Sequence, residues 1–268
     1  MPGDPGVNPA AFDAVAADYD TGFSHSLLGQ QLRQRVWQLL AGQFQPGDRI
    51  LELACGTGED AVWLARRGLD VTALDASPAM VAIAAQKVRQ AGLDGRISLQ
   101  RASLQQIVSG EWHPSDTRFD GVLSNFGGLN TINNWHDLAA RLAGMVNPGA
   151  RLVLVPMGPF CPWELLWYGG HGRFDLARRR WQPVARATLG RSTIPVWYPA
   201  ARQLRRQLSP WFRHLSTRSL GLWLPPSYLG ALVERRSRLF DFLNRLENAT
   251  AALTGGWGDH YISLFARR

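Results

Sequence analysis

Lysine is almost missing from this chain. Lys87 stands alone, and the other 28 of its 29 strong bases are arginine. Cysteine is scarce too: Cys55 and Cys161 lie far apart and form no C-x-x-C pair. That excludes a disulfide framework and a cysteine zinc site, and fits a reducing compartment. No apolar run approaches the 18 or so residues that a membrane-spanning helix needs. The opening MPGDPGVNPAAFD has neither the basic start nor the apolar stretch of a signal peptide. The location read from these absences is cytoplasmic. Charged residues make up only 19% of the chain and hydrophobic ones 46%, a globular balance rather than a disordered one.

What is present is a chain of 268 residues, long enough for one large domain with a lobe and a sizeable core. Net charge is +8. A GC-rich genome is the plain reading of the preference for arginine. The bases are also uneven: from Arg173 to Arg218 there are eleven arginines and a single acid, Asp175. Such a segment suits an acidic substrate, an anionic membrane surface or nucleic acid.

Residues 1–10 are rich in Pro and Gly and read as loose. Apolar residues from Ala11 to Leu40 recur at three and four, which predicts two helices broken at Thr21-Gly22. Strands then alternate with helices. Strands are predicted at 49–54, 70–74, 97–100, 119–124 and 151–157, with helices at 59–67, 77–91 and 135–145 between them. Short loops between such elements mean parallel strands joined by right-handed crossovers, the doubly wound α/β class. Beyond Met157 the character changes. Residues 158–198 hold Trp163, Trp167, Trp181 and Trp197 among arginines, and read as two or three helices forming a lid. A helix at 199–208, a strand at 212–220, a long helix at 228–253 and a final strand at 260–266 follow.

The stretch ILELACGTGED, residues 50–60, carries the first chemistry. Glu52 lies inside an apolar strand, and Gly56 and Gly58 follow in a turn that opens a helix. Gly56 is read as turning with positive φ, and Gly58 as letting a ligand approach the main chain. Asp75 ends the next strand, 19 residues after Gly56. A carboxylate there can accept both hydroxyls of a ribose, so loop and acid together suggest an adenosine-containing ligand. The spacing also fits the dinucleotide pattern G-x-G-x-x-A. Three features speak against a nicotinamide enzyme. Glu52 suits an ammonium group better than a pyrophosphate. Glu59 and Asp60 place acid at the helix start, where a pyrophosphate would sit. The Tyr-x-x-x-Lys pair of short-chain dehydrogenases is excluded, because position 83, four before Lys87, is Ile83.

LELACGTGED, VTALDASPAM, RFDGVLSNFGGLN, NPGARLVLVPM and GDHYISLFAR, with FDAVAADYD before them, together resemble the class I S-adenosylmethionine-dependent methyltransferases. The resemblance covers residues 12–157 well and 199–268 more loosely. It implies a Rossmann-like, seven-stranded, mostly parallel sheet with an antiparallel last strand near His260–Ala266, and a helical lid after the fifth strand. It divides the chain into a cofactor-binding part at 1–157, a lid at 158–198 and a completion of the sheet at 199–268. The implied cofactor is S-adenosylmethionine. Glu52, Ala54, Gly56 and Gly58 match the loop around its methionine end. Asp75 matches the ribose acid, and Ala76 and Met80 match adenine contacts. Ser103 and Leu104 stand where relatives carry an Asp and a residue whose backbone meets the adenine ring; the serine departs from that pattern. Asn125 and Phe126 match the position facing the methyl group, and Tyr19 a tyrosine over the carboxylate.

No Asn-Pro-Pro-Tyr follows the fourth strand; Asn125-Phe126-Gly127-Gly128 stands there, similar to enzymes acting on small molecules. The expected acceptor is a small apolar or aromatic metabolite, held by tryptophans, with arginines for an acidic group. His171 and His260 are the candidates for a general base, and no metal site is read. Peripheral contact with a membrane belongs to the same reading. Three alternatives stay open: a nucleic-acid methyltransferase using the Arg-rich lobe, a non-catalytic cofactor-binding protein, and an NAD-dependent oxidoreductase.

Overall fold

The computed structural model describes residues 10–115 and 118–268, without the side chains of residues 233, 234 and 237. Residues 1–9 of the tip read as loose lie outside the described residues. Strands β1 (Arg49–Leu53), β2 (Asp70–Asp75), β3 (Ile97–Arg101), β4 (Phe119–Ser124) and β5 (Val146–Leu154) pair in parallel. Two later strands, β8 (Phe212–Leu220) and β9 (His260–Arg267), complete a sheet of order β3-β2-β1-β4-β5-β9-β8. β9 runs antiparallel to both β5 and β8. The expected seven-stranded architecture is therefore present. Between β1 and β4 the strand order reverses, which opens a crevice at their carboxyl ends.

The central strand β1 has every residue after Arg49 buried, as a strand covered on both faces must. One covering layer is α3 (Leu27–Ala41), α4 (Glu59–Arg66), α5 (Pro78–Ala91) and α12 (Ser237–Thr254), through Leu32, Leu64, Val88 and Phe240. The other is α6 (Leu104–Ser109), α7 (Trp135–Met145) and α10 (Ala201–Leu208), through Ile107, Leu138 and Leu204. Ile50 belongs to the first layer and Leu51 and Leu53 to the second. Alternation along the strand puts Glu52 on the first side, towards α3 and α4.

Several boundaries differ from the sequence reading for identifiable reasons. The N-terminal break is wider than Thr21-Gly22. Short helices α1 (Ala10–Asp13) and α2 (Ala16–Tyr19) lead into a π-turn at Asp20–Ser24, and Ser26 caps α3 by accepting from Gly29 N–H. The strand predicted from 151 begins at Val146, and Asn147-Pro148-Gly149 forms a register shift within it, since Phe119 pairs with Val146 and Gly121 with Arg151. The long helix expected at 228–253 is interrupted at Arg235-Arg236, with α11 (Ala231–Glu234) preceding α12. The lid at 158–198 is not helical throughout. Helices α8 (Pro162–Gly170) and α9 (Phe174–Ala177) are followed by an antiparallel hairpin of β6 (Ala185–Leu189) and β7 (Ser192–Val196). Pro195 is tolerated there because each strand of a two-stranded hairpin has a free edge.

Candidate active site

The crevice becomes a pocket lined by the ends of β1, β2 and β4, the start of α6, the N-terminal segment and the hairpin. Gly56 and Gly58, which define its turn, serve different ends. Both have positive φ, at 56° and 79°. A Cβ added at Gly56 would meet nothing within 4 Å, so this residue borders open space. A Cβ at Gly58 would stand 2.9 Å from Ala84 Cβ. Gly58 is thus a packing glycine that lets α5 approach the turn. It is absent from the pocket wall, which corrects its assignment as a ligand-approach residue. Ala54 and Phe126, at the ends of β1 and β4, are the non-glycine residues with positive φ among those described. Both line the pocket, and strain of this kind collects at functional sites.

Asp75 binds the turn directly. Its Oδ2 accepts from Gly56 N–H at 2.8 Å and its Oδ1 from Ser77 N–H at 2.9 Å. Burial raises its carboxyl above the ordinary value, against the lowering effect of those bonds. Its carboxylate also lines the pocket. Glu52 lies beneath the wall, 1% exposed, with Oε2 buried and without a hydrogen-bond partner. Desolvation first, and then the nearby Asp60, raise its carboxyl well above the usual range, while Arg33 pulls the other way. Cys55 is likewise held as a neutral thiol by burial, which argues against a nucleophile.

Asp60 does not behave as the repelling acid read from the sequence. It is buried and receives the Arg33 guanidinium, Trp37 Nε1 at 2.6 Å and Asn125 Nδ2 at 2.9 Å. Arg33 Cζ also sits 4.9 Å over the Phe126 ring, and its own Nε is buried without a partner. Glu59 is neutralised as well, by Lys87 at 2.5 Å. The same Lys87 ammonium reaches Asp20 Oδ2 at 2.6 Å, and Asp20 Oδ1 accepts from Thr57 Oγ1 at 2.7 Å. The only lysine therefore clamps the segment bearing Tyr19 to the glycine turn. Asp13 makes a second tie, accepting from Ser77 Oγ at 2.5 Å and Ala79 N–H at 3.1 Å. Tyr19 is half-buried on the pocket wall, and desolvation raises its phenol.

Ala76, Met80, Ser103 and Leu104 line the far side. The Ser103 hydroxyl is engaged in a capping box with Gln106, so its replacement of the usual acid has a local structural role. Asn125 and Phe126 form the wall at β4. The hairpin closes the top: Ala187, Leu189, Ile194 and Val196 line the pocket, while Arg186, Thr188 and Thr193 on alternate positions are exposed. Phe12 and Met157 extend this apolar roof.

The two histidines are not brought to the chamber. His171 is exposed at the end of α8 and bonded to the Trp167 carbonyl at 2.7 Å. His260 is buried on β9 behind Phe126, whose ring it meets edge-on at 5.5 Å, with Nδ1 3.1 Å from Asp259 Oδ2. The arginines expected to hold an acidic acceptor are also elsewhere. Among the described residues, Arg33 is the pocket's one basic lining side chain. Arg179 and Arg180 are spent on Glu164, at 2.6 and 2.7 Å, and Arg180 also on Asp259 at 2.5 Å. The sequence reading assigned Arg33, Phe12 and the hairpin no place in the site, and took Asp60 only as an acid at a helix start.

The donor set fits S-adenosylmethionine: a buried unpartnered carboxylate oxygen, an open glycine turn and an acid at the end of β2. A methyltransferase-domain family model matches residues 50–149. The ubiquinone/menaquinone biosynthesis C-methyltransferase UbiE of Geotalea daltonii is 31% identical over 150 residues, 54% of this chain and 60% of that protein. The chain spans about three fifths of the length of the curated relatives it matches. Among solved structures, the [4+2]-cyclase SpnF superposes with TM-score 0.62 at 17% identity, covering 97% of this chain and 95% of that one. An S-adenosylmethionine-dependent methyltransferase of Mesorhizobium loti gives 0.54 at 19% identity, over 87% and 97%. Fold and site define a Rossmann-like nucleoside-cofactor protein. Residues 50–149 match a methyltransferase domain, the chain is similar to quinone C-methyltransferases, its fold is shared with S-adenosylmethionine-dependent methyltransferases, and the pocket residues fit S-adenosylmethionine.

Proposed function

We propose that this protein transfers a methyl group to a small apolar acceptor, with a quinone-type ring as the first candidate. The observation that carries the reading is the juxtaposition of a polar cofactor floor with an apolar roof. Gly56 and Asp75 lie on one side, with Glu52 buried beneath them, and Phe12, Met157, Leu189, Ile194 and Val196 on the other. The quinone class comes from the Geotalea relative, a ubiquinone/menaquinone biosynthesis C-methyltransferase. The apolar roof supports it independently, since small-molecule sites of this type are lined mainly by such side chains.

The bound cofactor supplies a methyl carbon on a positively charged sulfur, open to in-line displacement. In this reading Glu52 balances the cofactor's ammonium and Asp75 holds its ribose hydroxyls. Ala76, Met80 and Leu104 pack on the adenine, and Tyr19 and Arg33 stand towards the carboxylate. Ser103 spends its hydroxyl on capping α6 and not on the adenine. Asn125 and the strained Phe126 fix the wall where acceptor and methyl meet, which is the alignment that most of the rate depends on. An acceptor carbon must lose a proton, yet no histidine is among the described lining residues. His171 is assigned no role. His260 is reached only if the Phe126 ring turns aside. The division into a cofactor part at 1–157, a lid at 158–198 and a sheet completion at 199–268 follows the same logic, with the lid roofing the acceptor.

The test is titration with S-adenosylhomocysteine and with NADH, followed by labelled-methyl transfer to a panel of quinols and polar acceptors. The proposal expects binding of the first ligand, transfer to apolar rings, and unchanged kcat/KM in His171→Ala. Transfer only to polar acceptors would refute the acceptor class. A second reading is favoured by the cyclase superposition: the fold also serves a [4+2]-cyclase. Tight cofactor binding with no transfer to any acceptor would favour it.

A further inference from the structure

Helix α8 is built inside out. Its sequence PWELLWYGG has one charge among two leucines, two tryptophans and a tyrosine. A helix on a water-facing surface normally hides its apolar side. Here the single fully buried residue is the charge: Glu164 is 1% exposed, whereas Leu166 is 75% exposed. The cause is the ion cluster beneath it. Glu164 accepts from Arg179, from both Arg180 Nε and Nη2, and from Tyr228 Oη at 2.7 Å. Those bonds fix the rotation of the helix and turn Leu166 outward with Trp167 half-exposed beside it, while Trp163 packs back on the core.

The neighbourhood continues the pattern. Helix α9 packs against α8 and carries Phe174, 60% exposed, and Trp181 follows at 56%. Tyr228, half-exposed, lies against Tyr168 with ring centroids 6.5 Å apart. Beside this plate stands the exposed guanidinium of Arg178, at the end of α9, with Arg173 beside the lone acid Asp175 at 3.6 Å. Apolar and aromatic side chains fringed by arginine match the boundary between headgroups and acyl chains. There indole and phenol rings keep one end apolar and one wet, and each guanidinium meets an anionic headgroup.

We infer that this face of the lobe docks on the surface of an anionic lipid bilayer. The charge excess selects the occupant. Arg173 and Arg178 are exposed beside the plate with Asp175 as the one nearby acid, a balance complementary to an anionic surface, and the apolar plate gives it something to bury. Docking also has a use. Met157 on the pocket wall precedes α8 by five residues, and the hairpin that roofs the pocket follows Trp181 directly. A lobe held on the bilayer would place the roof beside an acceptor dissolved in the membrane. That use rests on the apolar-acceptor reading, whereas the docking stands without it.

The experiment is sedimentation of the full chain with vesicles of neutral phosphatidylcholine, and of the same lipid with about 30 mol% phosphatidylglycerol. Binding to the anionic vesicles is expected, at least tenfold stronger than to neutral ones. It should weaken several-fold as salt rises from about 0.1 M to about 0.5 M, because the screening length shortens. The double substitution Leu166→Asp and Phe174→Asp should reduce vesicle binding tenfold or more. Its thermal midpoint and S-adenosylhomocysteine affinity should match the parent's, since both side chains are exposed and outside the pocket. Absence of binding to anionic vesicles, salt-independent binding, or full binding by the variant would overturn the inference. So would a parent dimer in solution that the variant abolishes, because the plate would then be a protein interface. Loss of methyl transfer with vesicle binding intact would count against the acceptor reading alone.

Discussion

Replacing the two glycines of the turn, one at a time, separates structure from binding. In Gly58→Ala the new methyl group must adopt a left-handed backbone, which costs about 1–2 kcal/mol. It also stands 2.9 Å from Ala84 Cβ, in a helix that cannot easily move, and such overpacking adds about 1–3 kcal/mol. The sum is about 2–5 kcal/mol, or about 5–15 °C in midpoint for a chain of this size. In Gly56→Ala the backbone term is similar, but no atom lies within 4 Å, so the second term vanishes. Gly56→Ala should therefore unfold only a few degrees below the parent. Its methyl group projects where the cofactor belongs, and S-adenosylhomocysteine affinity should fall at least tenfold, about 1.4 kcal/mol. Gly58→Ala, once folded, should bind within a few-fold of the parent. Adding Ala84→Gly to it should recover part of the lost stability, less about 1 kcal/mol for a glycine inside a helix. Thermal unfolding without ligand and calorimetric titration read the two quantities. The reasoning fails if Gly56→Ala is the less stable variant, or if Gly58→Ala loses binding while Gly56→Ala keeps it.

Glu52 should make stability and binding depend on pH in opposite ways. Its folded carboxyl is raised well above the ordinary value, so its contribution is fully present below the unfolded value and lost as pH rises towards the folded one. A cationic ligand favours the ionised form, so affinity should rise over the same window with proton release. Glu52→Gln should flatten both trends, and calorimetry in buffers of different ionisation enthalpy would reveal a parent that releases no proton. Lys87→Ala should free the segment bearing Tyr19 and weaken S-adenosylhomocysteine binding about fivefold, while Lys87→Arg restores much of it, since either cation can bridge Asp20 and Glu59. Equal affinities in all three proteins would show the clamp to be idle.

The strand-and-helix alternation, the turn at Gly56 and the acids at Glu52 and Asp75 were legible in the sequence. Each follows from residues close together along the chain, where periodicity and conformational preference act directly. The seven-stranded sheet with its antiparallel last strand came from the family resemblance, and the strand order from the structure. The hairpin was not legible, because Ala185–Val196 is short, holds a proline and becomes a strand pair only over a finished pocket. Nor could the sequence tell why Gly58 is glycine, since the answer is Ala84, on the next helix. Asp60 looked like a free acid at a helix start, yet it is paired with Arg33, 27 residues away, and Asn125, 65 residues away. The outward face of α8 was likewise decided by Arg179 and Arg180 gripping Glu164 from below. Local chemistry therefore determined the scaffold and the polar floor of the pocket by itself. The roof, the charge pairing and the direction each helix faces were left to contacts between distant segments, which exist only after the chain has closed on itself.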